Sequence, residues 1–372
     1  MMQQTTGEIL VDDILTYALI TIVVSGGDSK SDCAMWWNRC LRLARAADLH
    51  RCDSQINDQT LPLSSGYDYV EEMINTSRSG FEAKEEKRRT FWLLYCLDRH
   101  LSLSYNQTMR LWDHECEVYI PLPEDVWMSL ESASAETLSD RKYGPPTRVS
   151  GIGFYEYFLP LMTILGDVIF AHHQRSHPRA RGSHNSILTA EIEGLLCDCA
   201  DSITELKNVY HTDDLDGPVP ASMVPSPAFG ISDAPPTRYS QRKQRAQAQL
   251  VVVYTTFILQ VLHVLLYGKW DAIDMLDNED DWIATEDFSK CAASAIAASD
   301  AVSQILRCDP ALTFMPYLFG IYLLHGSFIL LLFADRMPQL GPNESVERAC
   351  ETIIRAHEAS VVTLNTEFQV RE

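Results

Sequence analysis

Trp92, Asp98, Arg99, His100 and Trp112 are the residues with which this chain could recognise a partner molecule. They lie on, or just past, one long apolar stretch. Arg99 and His100 can donate hydrogen bonds and the two indoles can offer flat apolar faces, a combination suited to a small polar effector. The plainer reading is structural, with Asp98 and Arg99 as a buried pair that fixes helix packing. No persuasive nucleophile triad accompanies them, and no catalytic residue is assigned.

Metal and cofactor chemistry finds weaker footholds. The run Asp277-Asn278-Glu279-Asp280-Asp281 offers carboxylate oxygens of the kind that hold Mg2+ against a diphosphate. Asn185, Thr189 and Glu193 have the spacing of a second metal motif, as in all-α terpene synthases, but Ser186 stands where that motif has Asp and the order of the two motifs is inverted. A solvated turn between helices is the preferred reading of the acidic run. His173 and His177 sit four apart without a Glu between them, and Pro178 follows at once, so a mobile helix end beside Arg175 and Arg179 is expected. Cys33 and Cys40 flank Met35, Trp36 and Trp37 on an amphipathic helix and read as core or helix-face residues. Cys199 falls on an apolar stripe and Cys197 off it. Gly151-Ile-Gly153 lacks a third glycine and a preceding strand. No metal and no cofactor is therefore assigned to this chain.

The candidate residues are positioned by the stretch 82–111. Leu93, Leu94, Leu97, Leu101 and Tyr105 fall at helical spacing, and Lys84, Glu85, Lys87 and Arg88 crowd the entry, so a central helix passes from a charged surface into a core. Glu85 precedes Arg89 by four residues, an order suited to an exposed ion pair that stabilises by only about 0.2–0.5 kcal/mol. Burial of the leucine and aromatic face has to dominate.

Helices are also expected over 9–24, over 31–47 after a Gly26-Gly27 break, in a short piece near 125–130, and over 154–173, where Pro160 kinks the helix or marks its start. Others follow over 186–206, 250–267, 285–306 with Thr285 as cap, 317–333, and after Asn343. The segment 50–80 reads as an exposed loop and Gly144-Pro145-Pro146 as a turn. The expected fold class is all-α, a large irregular helical bundle or solenoid-like array of amphipathic helices. Its organisation is an N-terminal helical part at 1–210 with the central motif at 82–123, a Pro-rich linker or loop at 211–240, and a C-terminal helical part of the same domain at 241–372.

Composition narrows the partners. The 372 residues are 46% hydrophobic and 22% charged, a globular balance, and the formal net charge is −21. Such a field repels a phosphate backbone, so the chain is not expected to grip DNA itself. Ten scattered cysteines and a polar, uncharged start suit reduced thiols in the cytosol or nucleus. The apolar runs 250–267 and 317–333 approach the length of a membrane span, but Gln260, His263, His325 and Asp335 mark them as core helices, and no membrane partner is expected.

The segment Glu85-Glu-Lys-Arg-Arg-Thr-Phe-Trp-Leu-Leu-Tyr-Cys-Leu-Asp-Arg99 resembles the central motif of the middle homology, or regulatory, domain of fungal zinc-cluster (Zn2Cys6) transcription factors. The stretch 111–123, ending in Leu122-Pro123, resembles the acidic segment that follows it. Blocks at 153–167, 263–270, 315–328 and 355–369 are similar to the xylanolytic and arabinanolytic activators within that family. The resemblance implies an all-α, non-enzymatic regulatory domain of a nuclear activator of plant cell-wall polysaccharide and pentose utilisation genes. It implies a sugar-derived inducer, or a co-regulator or second copy as partner. DNA contact and zinc would belong to an N-terminal six-cysteine cluster, for which this sequence has no Cys-x-x-Cys pair, and relatives continue past Glu372. Where members have Arg-Pro or Lys-Pro after the central helix, this chain has Asn106-Gln107-Thr108, so the helix exit is expected to differ. A Mg-dependent diphosphate enzyme and a truncated interaction module are the alternatives.

Overall fold

Stripes of Leu, Ile, Val and aromatic residues at helical spacing dictate the architecture, and each becomes a helix buried along that stripe. The computed structural model describes residues 11–26, 30–53, 67–130, 142–176, 184–210, 238–276, 282–341 and 343–364. The protein is all-α: among these residues the extended pairing is a single bridge between Tyr119 and Tyr143. The expected linker lies outside the described residues up to 237. The chain folds as two compact units, the first comprising Met1–Asp98 and Arg110–Pro145, the second Arg99–Met109 and Pro146–Glu372.

In the first unit, the two expected helices, α1 (Val11–Ser25) and α2 (Lys30–Ala46), pack as a hairpin. Cys33 and Cys40 are its contact residues. Each is buried, and their thiols reach the Thr21 and Ile14 carbonyls at 3.9 and 3.5 Å, which only a short side chain lets a neighbouring backbone do. Tyr17 stacks on Trp36 at 5.8 Å to close the outer edge.

The central helix, α3, spans Tyr67–Tyr105 and begins well before the expected start. The segment 50–80 was expected to be a loop broken by Gly66 and Gly80. Gly80 instead sits inside the helix, where glycine costs only about 1 kcal/mol relative to Ala and the rest of a long helix absorbs it. After α3 the chain returns through an extended segment to a short helix α4 (Glu124–Met128). Gly144 adopts φ +80°, a left-handed turn that the Gly-Pro-Pro sequence foreshadows.

In the second unit, α7 (Arg238–Tyr267) is the hub, packed against α5 (Phe154–Ser176), α6 (His184–Tyr210), α9 (Glu286–Cys308) and α10 (Pro316–Leu340). A one-turn α8 (Ala272–Leu276) follows the hub, and α11 (Glu344–Leu364) covers α9 and α10. Tyr254, Phe257, Val261, Leu262 and Leu265 of α7 are buried. The predicted caps form: Thr285 Oγ1 accepts from the Phe288 N–H at 3.2 Å, and Asn343 Oδ1 from Ser345 and Val346 at 3.1 and 3.3 Å.

Pro160 neither starts α5 nor ends it. Proline leaves the carbonyl four residues earlier without its helical donor, and here the Glu156 carbonyl accepts instead from the Ser150 N–H at 3.1 Å. Glu156 also reaches back with Oε2 to the Gly153 N–H at 3.1 Å, capping the helix start. Residues Phe154–Arg175 and Gln241–Tyr267 are long and apolar enough to cross a membrane, but 72% and 83% of their most apolar windows are buried inside the protein, whereas Tyr317–Phe333 is shorter.

Candidate functional site

Along one face of α3 the motif at 85–99 holds the returning chain in antiparallel order, and side chains one helical turn apart do the holding. Glu85 accepts from the Leu122 N–H at 2.7 Å, and Arg89 donates to the Leu122 carbonyl at 3.0 Å and to Glu124 at 3.0 Å. Trp92 Nε1 donates to the Tyr119 carbonyl at 2.8 Å, and the Tyr95 hydroxyl to Asp113 Oδ1 at 2.8 Å. Asp98 completes the series. Its Oδ2 accepts from the Arg110 and Leu111 N–H groups, each at 2.9 Å, and its Oδ1 from Trp37 Nε1 of α2 at 3.3 Å. One carboxylate thus ties α2, α3 and the return segment together.

The expected charged surface is present in part: Lys84 and Lys87 are exposed, but Glu85 and Arg88 beside them are buried. Glu85 is 0% and Arg88 3% exposed, because residues 117–122 lie across them. Arg88 grips Asp53 through Nε and Nη2, at 2.9 and 2.5 Å, and donates to Glu85 from Nη1 at 3.2 Å. Asp53 Oδ2 also accepts from the Tyr119 N–H at 2.8 Å. Burial works to lower the Arg88 pKa, but hydrogen bonds to Asp53 and the charges of Asp53 and Glu85 outweigh it and hold the guanidinium more firmly protonated than usual. An exposed-pair energy therefore does not describe Glu85, since breaking a buried pair costs several-fold more.

Arg99 and His100 belong to the second unit. Arg99 is fully buried and passes so close to α5 that a Cβ on Gly166 would stand 3.3 Å from its Nε and 3.2 Å from Met109 Sδ. His100 is 4% exposed and lies against the rings of Tyr317 and Tyr322, at 5.1 and 6.3 Å. Burial pushes its pKa down to about 4. The exit of α3 is a left-handed cap: Asn106 has φ +48° and the Gln107 N–H returns to the Ser102 carbonyl at 2.9 Å, so Asn does what a following proline would do by exclusion. Trp112, in the first unit, is half-buried and stacks on His114 at 6.3 Å.

The other candidates resolve into packing. The helix end carrying His173 and Arg175 was expected to be mobile, yet the neighbouring His172 stacks on Trp270 at 3.9 Å, and Arg175 donates to the Leu266 carbonyl at 2.5 Å and to Thr189 Oγ1 at 3.0 Å. His177, Arg179 and the acidic run 277–281 lie outside the described residues. Glu193 accepts from the Tyr267 hydroxyl and from Lys290 Nζ, the latter at 3.0 Å, so two members of the second metal motif are held by neighbouring helices. Cys199 is buried and Cys197 exposed, and all ten cysteines are free thiols.

Asn38, Leu41, Arg42 and Arg45 of α2, with Arg110 from the return segment, line an open pocket of about 390 Å³. The arginines along one side of α2 were the available signal, but Arg110 comes from 72 residues beyond Asn38 and no spacing rule brings it there.

Comparison with known proteins gives a consistent picture. Residues 14–190 match the model of the fungal specific transcription factor domain. Over 96% of its length the chain is 39% identical to the xylanolytic transcriptional activator xlnR of Aspergillus clavatus, and over 98% it is 38% identical to that of Aspergillus terreus. The same activator of Aspergillus niger is 38% identical over 96% of the chain. The chain spans only 39% to 41% of the length of these relatives. No solved structure matches it.

Proposed function

We propose that this chain, whose residues 14–190 belong to the fungal specific transcription factor domain family, is the effector- or partner-responsive regulatory domain of a fungal activator of plant cell-wall polysaccharide and pentose utilisation genes. The observation that carries the reading is the 39% identity to a xylanolytic activator running through 96% of the chain, across both units. The central motif supports it, since its polar side chains are bonded into the fold instead of being aimed at a reacting group. The diphosphate-enzyme alternative gains no support from the arrangement of Thr189 and Glu193.

In this reading the intact factor acts in the nucleus, and DNA and zinc are contacted by a cysteine cluster outside this sequence. The net charge of −21 keeps this domain off the phosphate backbone. An inducer derived from a sugar, a co-regulator or a second copy shifts the population between helix packings, with no bond made or broken. The test is a fusion of the chain to an unrelated DNA-binding domain and activation domain in a fungal host. Reporter output should change when a pentose replaces glucose. Output that is the same on both sugars, with the fusion present at equal level, would overturn the reading.

A further inference from the structure

Although the chain as a whole is strongly acidic, one place on the first unit gathers cations. Asn38, Leu41, Arg42 and Arg45 occupy positions i, i+3, i+4 and i+7 of α2, so one helix face presents all four, and Arg110 closes the pocket they line. Its volume of about 390 Å³ falls within the roughly 300–1,000 Å³ of small-molecule sites.

Most of the donors in this pocket remain available. Arg110 Nη1 donates to Asn38 Oδ1, and Arg45 Nη2 donates to the Arg110 carbonyl at 3.0 Å and lies 3.7 Å from Glu115 Oε2. A guanidinium has five N–H donors, so each keeps several. Arg42 is exposed and makes no hydrogen bond or ion pair among the described residues. Three positive charges less those of Glu115 and of Asp98, which accepts the Arg110 N–H at 2.9 Å, leave a surplus of about one. Acidic groups farther off are largely screened, since the Debye length is about 8 Å at physiological ionic strength.

We propose that this pocket binds the phosphate monoester of a small polyhydroxy compound. A phosphate monoester carries about −1.5 to −2 charges at neutral pH, and its oxygens suit the planar forks of Arg42, Arg45 and Arg110, whose free N–H donors face the pocket. The Asn38 amide N–H2 donates to a hydroxyl of the ligand, and Leu41 supplies the apolar floor. The proposal rests on reading the domain as effector-responsive and names a class of effector for it.

The pocket is placed where a ligand has leverage. Asn38 follows Trp37, which bonds Asp98 at 3.3 Å, and Arg110 gives its own backbone N–H to Asp98 at 2.9 Å. A phosphate held between α2 and the return segment tightens the junction that closes on Asp98.

The test is titration calorimetry of the purified full chain with a pentose 5-phosphate, the matching free pentose and inorganic phosphate, in the wild type and in Arg42→Gln. Arg42 has no partner among the described residues, so its replacement should leave folding intact. The ester should bind saturably at one site, about tenfold or more weaker in Arg42→Gln, as loss of a charge-assisted contact requires, and weaker in high salt. Absence of ester binding, or binding unchanged in Arg42→Gln, would overturn the proposal. So would inorganic phosphate binding as tightly as the ester, which would make this a bare anion site. Failure of the functional reading is distinguishable: the reporter would ignore the sugar while ester binding stayed intact. Binding of the free pentose without the ester would remove the pocket proposal and leave the functional reading standing.

Discussion

Arg88 closes a two-pronged ion pair on Asp53, 35 residues earlier in the chain, and both side chains are almost completely buried. The same Asp53 caps the Tyr119 N–H, so the pair joins the end of the α1–α2 hairpin region to the return segment through α3. A charge pair in such a place is sensitive to losing one member and tolerant of losing both.

Asp53→Asn should therefore lower the unfolding free energy by about 3–5 kcal/mol, because among the described residues it leaves the buried Arg88 charge with Glu85 as its carboxylate partner. The double variant Asp53→Asn, Arg88→Met should lose less than the sum of the two single changes. Urea unfolding followed by tryptophan fluorescence reads both. Simple additivity would mean the pair is not coupled.

Asp98 satisfies three donors at once: the Trp37 indole and two backbone N–H groups. Asp98→Ala leaves all three without it in a buried setting, and each stranded donor costs about 1–3 kcal/mol. The variant should be strongly destabilised and should be nicked between 106 and 123 in limited proteolysis. A native cleavage pattern would show that the return segment is held by the other bonds alone.

Two glycines should respond to alanine in opposite directions. A Cβ on Gly268 would stand 2.5 Å from the Val264 carbonyl oxygen and 3.1 Å from Cys291 Sγ, so Gly268→Ala forces the end of α7 to shift and should cost about 1–3 kcal/mol. Gly80 meets nothing within 4 Å and lies inside a helix, so Gly80→Ala should stabilise by about 0.5–1 kcal/mol. Thermal unfolding of the two variants beside the wild type decides both.

Stability should fall in mild acid. Burial pushes His100 and His325 from 6.5 down to about 4, so between those values the folded state binds fewer protons than the unfolded state. Their contribution is fully present above about pH 6.5 and is lost as pH falls toward 4, each group adding a slope of up to about 1.4 kcal/mol per pH unit. His100→Gln should flatten the fall across that window. An unchanged slope would place the proton uptake elsewhere.

The periodic stripes, the caps at Thr285 and Asn343 and the core places of Cys33, Cys40 and Cys199 were legible because each is a local pattern. The start of α3 was not, since Gly80 signals a break that a long helix overrides. Burial of Glu85 and Arg88 was hidden for a different reason: their partners Leu122 and Asp53 are 37 and 35 residues away, and charge near a helix entry ordinarily means solvent. Trp92 and Asp98 were singled out as candidate effector residues; the bonds they make, to Tyr119, Trp37 and the 110–111 backbone, come only with the fold. The arginine pocket follows the same rule, with α2 readable and Arg110 not.

The most direct measurement is a chimera in which this chain replaces the matching region of the Aspergillus clavatus xylanolytic activator, assayed by transcript level of a xylanase gene. The account predicts transcription that rises with a pentose inducer and stays low without it. Transcription that is equally high in both conditions, or absent in both while the chimera accumulates in the nucleus, would contradict it.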